Sequence, residues 1–324
     1  MGAGGRLGAA MAAALVLNLA SGAIHAEDYP SRPIRVVVGF GPGAVADVIL
    51  RVLAAKMSQS LGQQLVVENR PGAGSSLGAE YVARAPKDGL TLLMCTVAQT
   101  INPAMNNLSF DFGKDLAPIA LLANAPQMLV AHPSFPASTV QELIALAKAQ
   151  PDGVQYASSG VGTMSHLSGV LLDSAAGIKL QQIPYPGSAQ SMTDVLAGRV
   201  PLMFGPAATV WTNVKAGKLK ALAVTQEKRA KIAPEVPTMI EAGVPGYSAG
   251  IWMGLLAPAG TPPEIVDKLS RSANEALKSS EMLTLLDKQG VDPLGGTPAE
   301  FARFIDAELK KWDGVVKAAG IKTK

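Results

Sequence analysis

Cysteine is nearly absent. One residue, Cys95, stands in 324, so no disulfide can form within the chain. It sits in the apolar run LTLLMCTVA, where a small buried thiol is expected. A reactive thiol would want a polar, electropositive setting with a histidine beside it. Histidine is scarce too, limited to His25, His132 and His166. With these far apart and no acidic cluster at ligand spacing, no metal site is expected, and nothing calls for a cofactor. Charged residues make up 16% and the formal net charge is +3, with the signs interspersed. No basic stripe results, so nucleic acid is a poor candidate partner. The 48% hydrophobic content describes a well-buried chain and excludes a disordered one.

The apolar stretch over residues 7–20 is about 14 residues long, short of a membrane span but suited to the core of an export signal. Arg6 is the one charge before Glu27, and Ala26 offers a small residue for cleavage. No second apolar run reaches that length, and no cysteine marks a lipid attachment point. Residues 1–26 are therefore expected to be a signal peptide and the mature chain an exported soluble protein. What remains, about 300 residues, fits two lobes of roughly 100–150 each.

What the chain does have is a repeated unit of strand-like run, glycine turn and helix-like run. Residues 34–38 (IRVVV) read as a buried strand that ends in Gly39, Gly41, Pro42 and Gly43. A helix is expected to follow at once, with Val45, Val48, Ile49, Val52 and Leu53 on one face. Then come LVVEN, a glycine loop over 71–74, a helix from Ser75 or Ser76, and the apolar strand LTLLMCTV. Runs buried on both faces signal a parallel sheet covered by helices, the α/β class. A second set follows. Thr139 and Glu142 predict a capped helix over 138–149. VQYASSG leads into a turn at Gly160-Val161-Gly162 and a helix to about Ala176, LQQIPY into a helix over 188–197, and VPLMFG and LKALAVT are two more strands.

In the tail, Thr261-Pro-Pro-Glu264 and Thr297-Pro-Ala-Glu300 each predict a helix start with threonine as the cap. Phe301, Phe304, Ile305, Leu309, Trp312 and Val316 form an apolar stripe fit for core packing. Residues 118–133 and 247–258 look like two crossings between lobes.

The first turn is the most informative feature. A strand, a glycine turn and a helix point unpaired backbone N–H groups at an anion. The turn holds no Lys, Arg, His or Cys, which suggests capture of an anion rather than chemistry on it. Its G-x-G-x-x-A pattern (Gly41, Gly43, Ala46) imitates a dinucleotide fingerprint, but Glu68 lies beyond the usual ~20-residue spacing. Asp47, in the first helical turn, has two open readings. It complements the helix dipole, or it orients a water or pairs with a ligand amine or hydroxyl. Gly74-Ser75-Ser76-Leu77-Gly78 matches the G-x-S-x-G nucleophile pattern, yet only His132 and His166 follow it, and Ser75 and Ser76 read better as helix caps. Ser158, Ser159, Gly160, Gly162 and Thr163 form a donor-rich strand-to-helix turn suited to a carboxylate. Tyr185-Pro186-Gly187-Ser188 repeats that arrangement. His166 reads as a helix histidine satisfied by a neighbour.

Longer markers then bring a family into view. YPSRPIRVVVGFGPG, ENRPGAGSSLGAEYVARAPKDGLTLLM, YASSGVGTMSHLSG, IPYPGSAQSMTDVLAGRV, VPTMIEAGVPGY, WMGLLAPAGTP and WDGVVKAAGIK occur in order. Across nearly the whole mature chain the sequence resembles the substrate-binding proteins of tripartite tricarboxylate transporters, the Bug family of periplasmic receptors. The resemblance implies a type II periplasmic-binding fold, two α/β lobes joined by two crossing strands. On this chain the lobes would be 27–126 with 251–324, and 127–250. It implies a monomeric, non-enzymatic receptor in the periplasm, which takes a small organic carboxylate, a dicarboxylate among the candidates. Delivery would be to a membrane permease of one large and one small subunit. The implied ligand contacts are Phe40, Gly41, Pro42, Gly43, Ala44 and Asp47 in the first turn, and Thr96, Val97 and Ala98 after the third strand. In the second lobe they are Ser158, Ser159, Gly160, Gly162, Thr163 and Tyr185, with Gly205, Pro206 and Ala207. The family pattern has glycine where Ala44 stands and often Ser or Thr where Ala46 stands, so a less polar or differently shaped ligand is implied. An exported serine hydrolase using Ser76 and a sensory receptor of the same fold are the alternatives.

Overall fold

The structure is a computed structural model and describes residues 29–150 and 153–321. The expected signal peptide lies outside the described residues.

The first half of the sheet is built from three parallel strands, β1 (Ile34–Val38), β2 (Leu65–Asn69) and β3 (Thr91–Thr96). Three helices follow them: α1 (Val45–Leu61), α2 (Ser76–Ala83) and α3 (Ala98–Met105). The 16-residue β4 (Leu116–Ala131) then runs out of this half, and helix α4 (Val140–Ala149) follows it. Strands β5 (Val154–Ser158), β6 (Leu180–Pro184), β7 (Leu202–Pro206) and β8 (Lys220–Val224) build the second half. Helices α5 (Met164–Ala176), α6 (Ser188–Leu196) and α7 (Ala207–Lys215) lie between those strands. The chain returns along β9 (Gly250–Pro258) and ends with α8 (Pro263–Leu277), α9 (Ser280–Gln289), β10 (Asp292–Pro293) and α10 (Pro298–Ala318). The strand order is β2-β1-β3-β9-β4-β7-β5-β6, with β8 and β10 also paired to β4. Among the described residues no helix is long and apolar enough to cross a membrane.

The two crossings expected from sequence are β4 and β9. They pair antiparallel from Leu116↔Pro258 to Pro126↔Gly250. One residue further on, Gln127↔Pro206 begins the pairing of β4 with β7. A single strand thus belongs to both sheets. Thr225 ties the junction: its N–H reaches the Gln127 carbonyl at 2.9 Å, its own carbonyl accepts from Ala249 N–H at 2.7 Å, and its hydroxyl lies against the Gln127 and Ala249 carbonyls.

Several local readings need correction. On α1 the buried face is Ala46, Ile49, Leu50, Leu53, Ala54 and Met57, while Val45 is 44% exposed. The helix begins at Val45 as expected, but that residue lies on its solvent face. Thr297 does form a capping box with Glu300, and Thr139 with Glu142. Thr261 does not cap α8; its hydroxyl donates back to the Pro258 carbonyl at 2.8 Å and Pro262 holds the N-cap position. Helices α3, α7 and α9 were not signalled. The first is short and holds Pro103, and the second starts behind Pro206 with no capping side chain.

The apolar stripe of α10 packs as expected, with Phe301, Ile305, Trp312 and Val316 buried. The same face hides Glu308, 6% exposed. Its carboxylate accepts from the indole N–H groups of Trp252 (2.8 Å) and Trp312 (2.9 Å) and pairs with Lys311. Lys311 in turn reaches the Ser248 carbonyl at 2.9 Å. Replacing Glu308 with Ala leaves two buried indole donors and a cation without a partner. We expect a loss of about 3–5 kcal/mol, read from urea denaturation. A loss under ~1 kcal/mol would show that the group is solvated.

Candidate ligand site

Parallel strands present their carboxyl ends to one side, where α/β proteins bind ligands. The loops after β1, β2 and β3 meet there. The loop after β2 is wound left-handed, with φ positive at Gly72, Ala73, Gly74 and Ser75 (135°, 45°, 60°, 74°). For Ala73 and Ser75 that conformation costs on the order of 1 kcal/mol each. It drives Ser75 onto the first turn, where a Cβ at Gly39 would lie 2.4 Å from the Ser75 Cβ. Only glycine fits at position 39. The Asn102 amide, from α3, donates to the Gly74 carbonyl (2.7 Å) and to the Ser76 hydroxyl (2.9 Å). Three loops are thereby locked together.

Asp47 is the knot of the first turn. It is 2% exposed and its carboxylate is saturated from within the protein. Gly43 N–H donates at 2.9 Å, Arg51 donates through two nitrogens at 3.1 and 2.9 Å, and Asn69 Nδ2 donates at 2.9 Å. Asn69 Nδ2 also reaches the Phe40 carbonyl at 2.9 Å. The sequence left open whether Asp47 complements the helix dipole or meets a water or ligand group; here the four hydrogen bonds to its carboxylate come from the protein. Asp47 shapes the loop. The Arg51 bonds hold its pKa down to about 2, helped by Gly43 and Asn69 and opposed by burial. Arg51 and Asn69 were missed; Arg51 stands one helical turn after Asp47, which was the available signal.

In the second half, the loops after β5 and β6 touch. Tyr185 N–H donates to the Ser158 carbonyl (2.9 Å) and Gln182 Nε2 to the Ser158 hydroxyl (2.7 Å). The three hydroxyls expected to face a ligand are used locally. Ser158 Oγ also accepts from Gly160 N–H (3.3 Å), Ser159 Oγ pairs with Ser165 Oγ (2.9 Å), and Thr163 Oγ1 donates to the Gly160 carbonyl (2.7 Å). Tyr185 donates to Asp194 (2.8 Å), which Arg199 holds at 2.7 Å. Ser165, Asp194 and Arg199 are thus supporting residues that sequence reasoning missed. Gly205 is buried beside Val210 and Met203, and Pro206 is exposed with Ala207 buried beneath it. Thr96 and Val97 are buried; the Thr96 N–H and hydroxyl are both turned toward Gln99 Oε1 (2.8 and 3.2 Å), and Ala98 N–H reaches Thr96 Oγ1 at 3.2 Å.

The helix starts fall into two groups. Those of α1 (Ala44), α2 (Ser75), α3 (Val97), α5 (Thr163), α6 (Gly187) and α7 (Pro206) begin at strand carboxyl ends, and at none does the N-cap side chain make a capping bond. Of the four that lie elsewhere, α4, α9 and α10 are capped by Thr139, Ser279 and Thr297, and α8 is not capped. The expected side-chain caps at Ser75 and Ser76 are absent. An uncapped start leaves backbone donors and a positive dipole end available to an anion.

Hydrolase geometry is not assembled. Ser75 Oγ is buried without a partner, Ser76 Oγ faces Asn102, His132 bonds Ser134, and His166 Nδ1 accepts Gly162 N–H at 3.0 Å. No histidine reaches either serine among the described residues, so no base is placed to activate one. Cys95 is fully buried, and burial pushes its thiol pKa up, out of thiolate range. Among the described residues no cluster of three acidic, His or Cys side chains could hold a metal.

Two lobes, two crossing strands and uncapped helix starts on both sides define a two-lobed solute-binding protein of the periplasmic receptor type. A family model described as the tripartite tricarboxylate transporter family receptor matches residues 49–321. The chain belongs to that family. It is 36% identical over 304 residues to Protein BugT of Bordetella pertussis, covering 93% of each chain. A solved R. palustris protein with adipate is 34% identical, with TM-score 0.72 over 91% of this chain and 100% of that one. A ligand-free TctC solute-binding protein from Polaromonas is 29% identical, with TM-score 0.84 over 90% and 99%.

Two consequences can be measured. Asp47→Ala should cost about 2–4 kcal/mol in urea denaturation at pH 7. The wild-type advantage should be present above about pH 4 and vanish as pH falls through about 2, because the folded carboxyl is depressed from 3.8. His166 has the same sign for a different reason. Burial lowers its pKa from 6.5, and Nδ1 must stay unprotonated to accept from Gly162. The unfolded chain therefore binds a proton first, and stability is full above about pH 6.5 and declines below it. The wild-type minus His166→Phe difference should shrink between pH 7.5 and 5.5; a pH-independent difference would remove His166 as the cause.

Proposed function

We propose that the chain is an exported, monomeric receptor that closes on a small organic carboxylate and presents it to a membrane permease of one large and one small subunit. The observation that carries this reading is the contrast between helix starts. Six at the strand ends are left uncapped by side chains at the N-cap, against one of the four elsewhere, as anion capture by backbone donors requires. The turns hold no lysine or arginine, so the grip would come from N–H groups and dipoles.

On this reading residues 27–126 with 251–324 form one lobe and 127–250 the other, hinged at β4 and β9. The Phe40, Gly41, Pro42, Gly43 and Ala44 loop with Thr96, Val97 and Ala98 holds one end of the ligand. Ser158, Ser159, Gly160, Gly162, Thr163, Tyr185, Gly205, Pro206 and Ala207 hold the other. Asp47 acts behind the first loop. The better fit to the ligand-free relative than to the adipate-bound one, despite lower identity, supports an open arrangement. Hinge closure would then follow ligand entry.

Gly41 gives a clean test. A Cβ there meets nothing within 4 Å and its φ is ordinary, so Gly41→Phe should fold normally and obstruct the cleft. Wild type should gain several degrees of thermal stability from a member of a carboxylate panel that includes adipate and malate, consistent with about 2.7 kcal/mol at a hundred times Kd. The variant should gain nothing. Stabilisation retained in Gly41→Phe would reject the first loop as part of the site.

A further inference from the structure

A cavity of about 450 Å³ lies beside the crossing strands and shares no residue with the loops above. Its volume suits a small organic molecule. Its walls come from both sides of the hinge: the 226–231 segment after β8 on one, and β10 and α10 on the other. The floor is apolar, formed by Trp252, Phe304 and Leu294, the last 49% exposed. Lys228 and Lys231 stand exposed on the rim, and neither is hydrogen-bonded or ion-paired among the described residues. The other lining cations are engaged, Arg229 with Glu241 and Lys311 with Glu308. Of the acids, Asp292 accepts from Gln226 at 3.0 Å, and Glu227 is exposed.

We propose that this cavity is a second ligand site, which takes an aromatic organic anion and couples its binding to the angle between the lobes. A flat ring matches the Trp252, Phe304 and Leu294 floor, and an anionic group matches the two free ammonium groups. The coupling arises from what crosses the cavity. The Gln226–Asp292 bond and the Lys311 bond to the Ser248 carbonyl both join the two sides. Asn124, at the centre of β4, gives its amide to Gln226 at 2.7 Å. Its Oδ1 is buried without a donor, pressed where a Cβ on Gly250 would lie 2.5 Å away. A ligand N–H directed at this oxygen, on a ligand seated against both walls, ties binding to the separation of the 226–231 segment from β10 and α10. A ligand bound differently in two hinge states moves the equilibrium between them.

Anilinonaphthalene sulfonate carries the ring, the anion and the N–H, and serves as the probe. Titrated into the mature protein, it should show one saturable site with quenching of tryptophan emission. Lys228→Glu with Lys231→Glu, and separately Leu294→Asp, change exposed residues and should keep the circular dichroism spectrum. Each should weaken the probe about tenfold or more, equivalent to ~1.4 kcal/mol. Unchanged affinity in both variants would mean the dye adsorbs elsewhere and would overturn the site. Small-angle scattering at saturating probe should show an altered radius of gyration in wild type and none in Leu294→Asp. An unaltered radius in wild type would overturn the coupling. Neither readout uses the cleft ligand, so failure here leaves the receptor reading standing and is distinguishable from its failure.

Discussion

The structure depends on one strand serving two sheets. β4 pairs with β9 up to Pro126 and with β7 from Gln127, so the backbone ladder changes partner within one residue. A strand cannot be pulled from one sheet without disturbing the other, because each unpaired buried N–H or carbonyl costs about a hydrogen bond. The two halves are therefore joined through continuous backbone pairing on both sides of the junction. Thr225 stitches the return strand to β4 at that point, and Glu308 fastens α10 to β9 through the Trp252 indole.

Everything around the cleft is arranged so that side chains serve the backbone. Asp47 accepts four hydrogen bonds that shape its turn, and the hydroxyls after β5 bond to neighbours in the same loop. Such bonds fix the loops, and several loop N–H groups, those of Gly43, Ser159, Gly160 and Gly162, are themselves held by side chains. A binding surface of this kind is stiff before the ligand arrives, and stiffness removes ordering entropy from the cost of binding.

Much of this was legible in the chain. The strand, turn and helix periodicity located β1 to β3 and β5 to β8, since continuous apolar runs bounded by glycine have few other solutions. The two crossings showed as long apolar segments with a break. Reading failed where tertiary contacts decide. Ser75 looks like a cap, yet its φ of 74° follows from packing against Gly39. Thr261 has a capping pattern but bonds backwards to Pro258. The role of Asp47 could not be read because Asn69, its partner, is 22 residues away and meets it only through sheet pairing. Helix α3 was hidden by Pro103 in an eight-residue span.

The absence of a fixed cation from the turns bears on how a receptor of this kind would work. A buried lysine or arginine would attract a carboxylate to the open protein and hold it there. Backbone dipoles in contact with water do so weakly, because each bond made replaces one to water. Their strength rises when water is excluded and the local dielectric falls. A ligand held at one end by the first loop and at the other by the loop after β5 would gain that strength only once both loops close around it. Binding and closure then become a single event, and closure is a change of shape that a membrane partner can read without touching the ligand. On the proposed function, the uncapped helix starts and the shared strand would be two halves of one device: the first would make affinity conditional on closing, and the second would permit the closing.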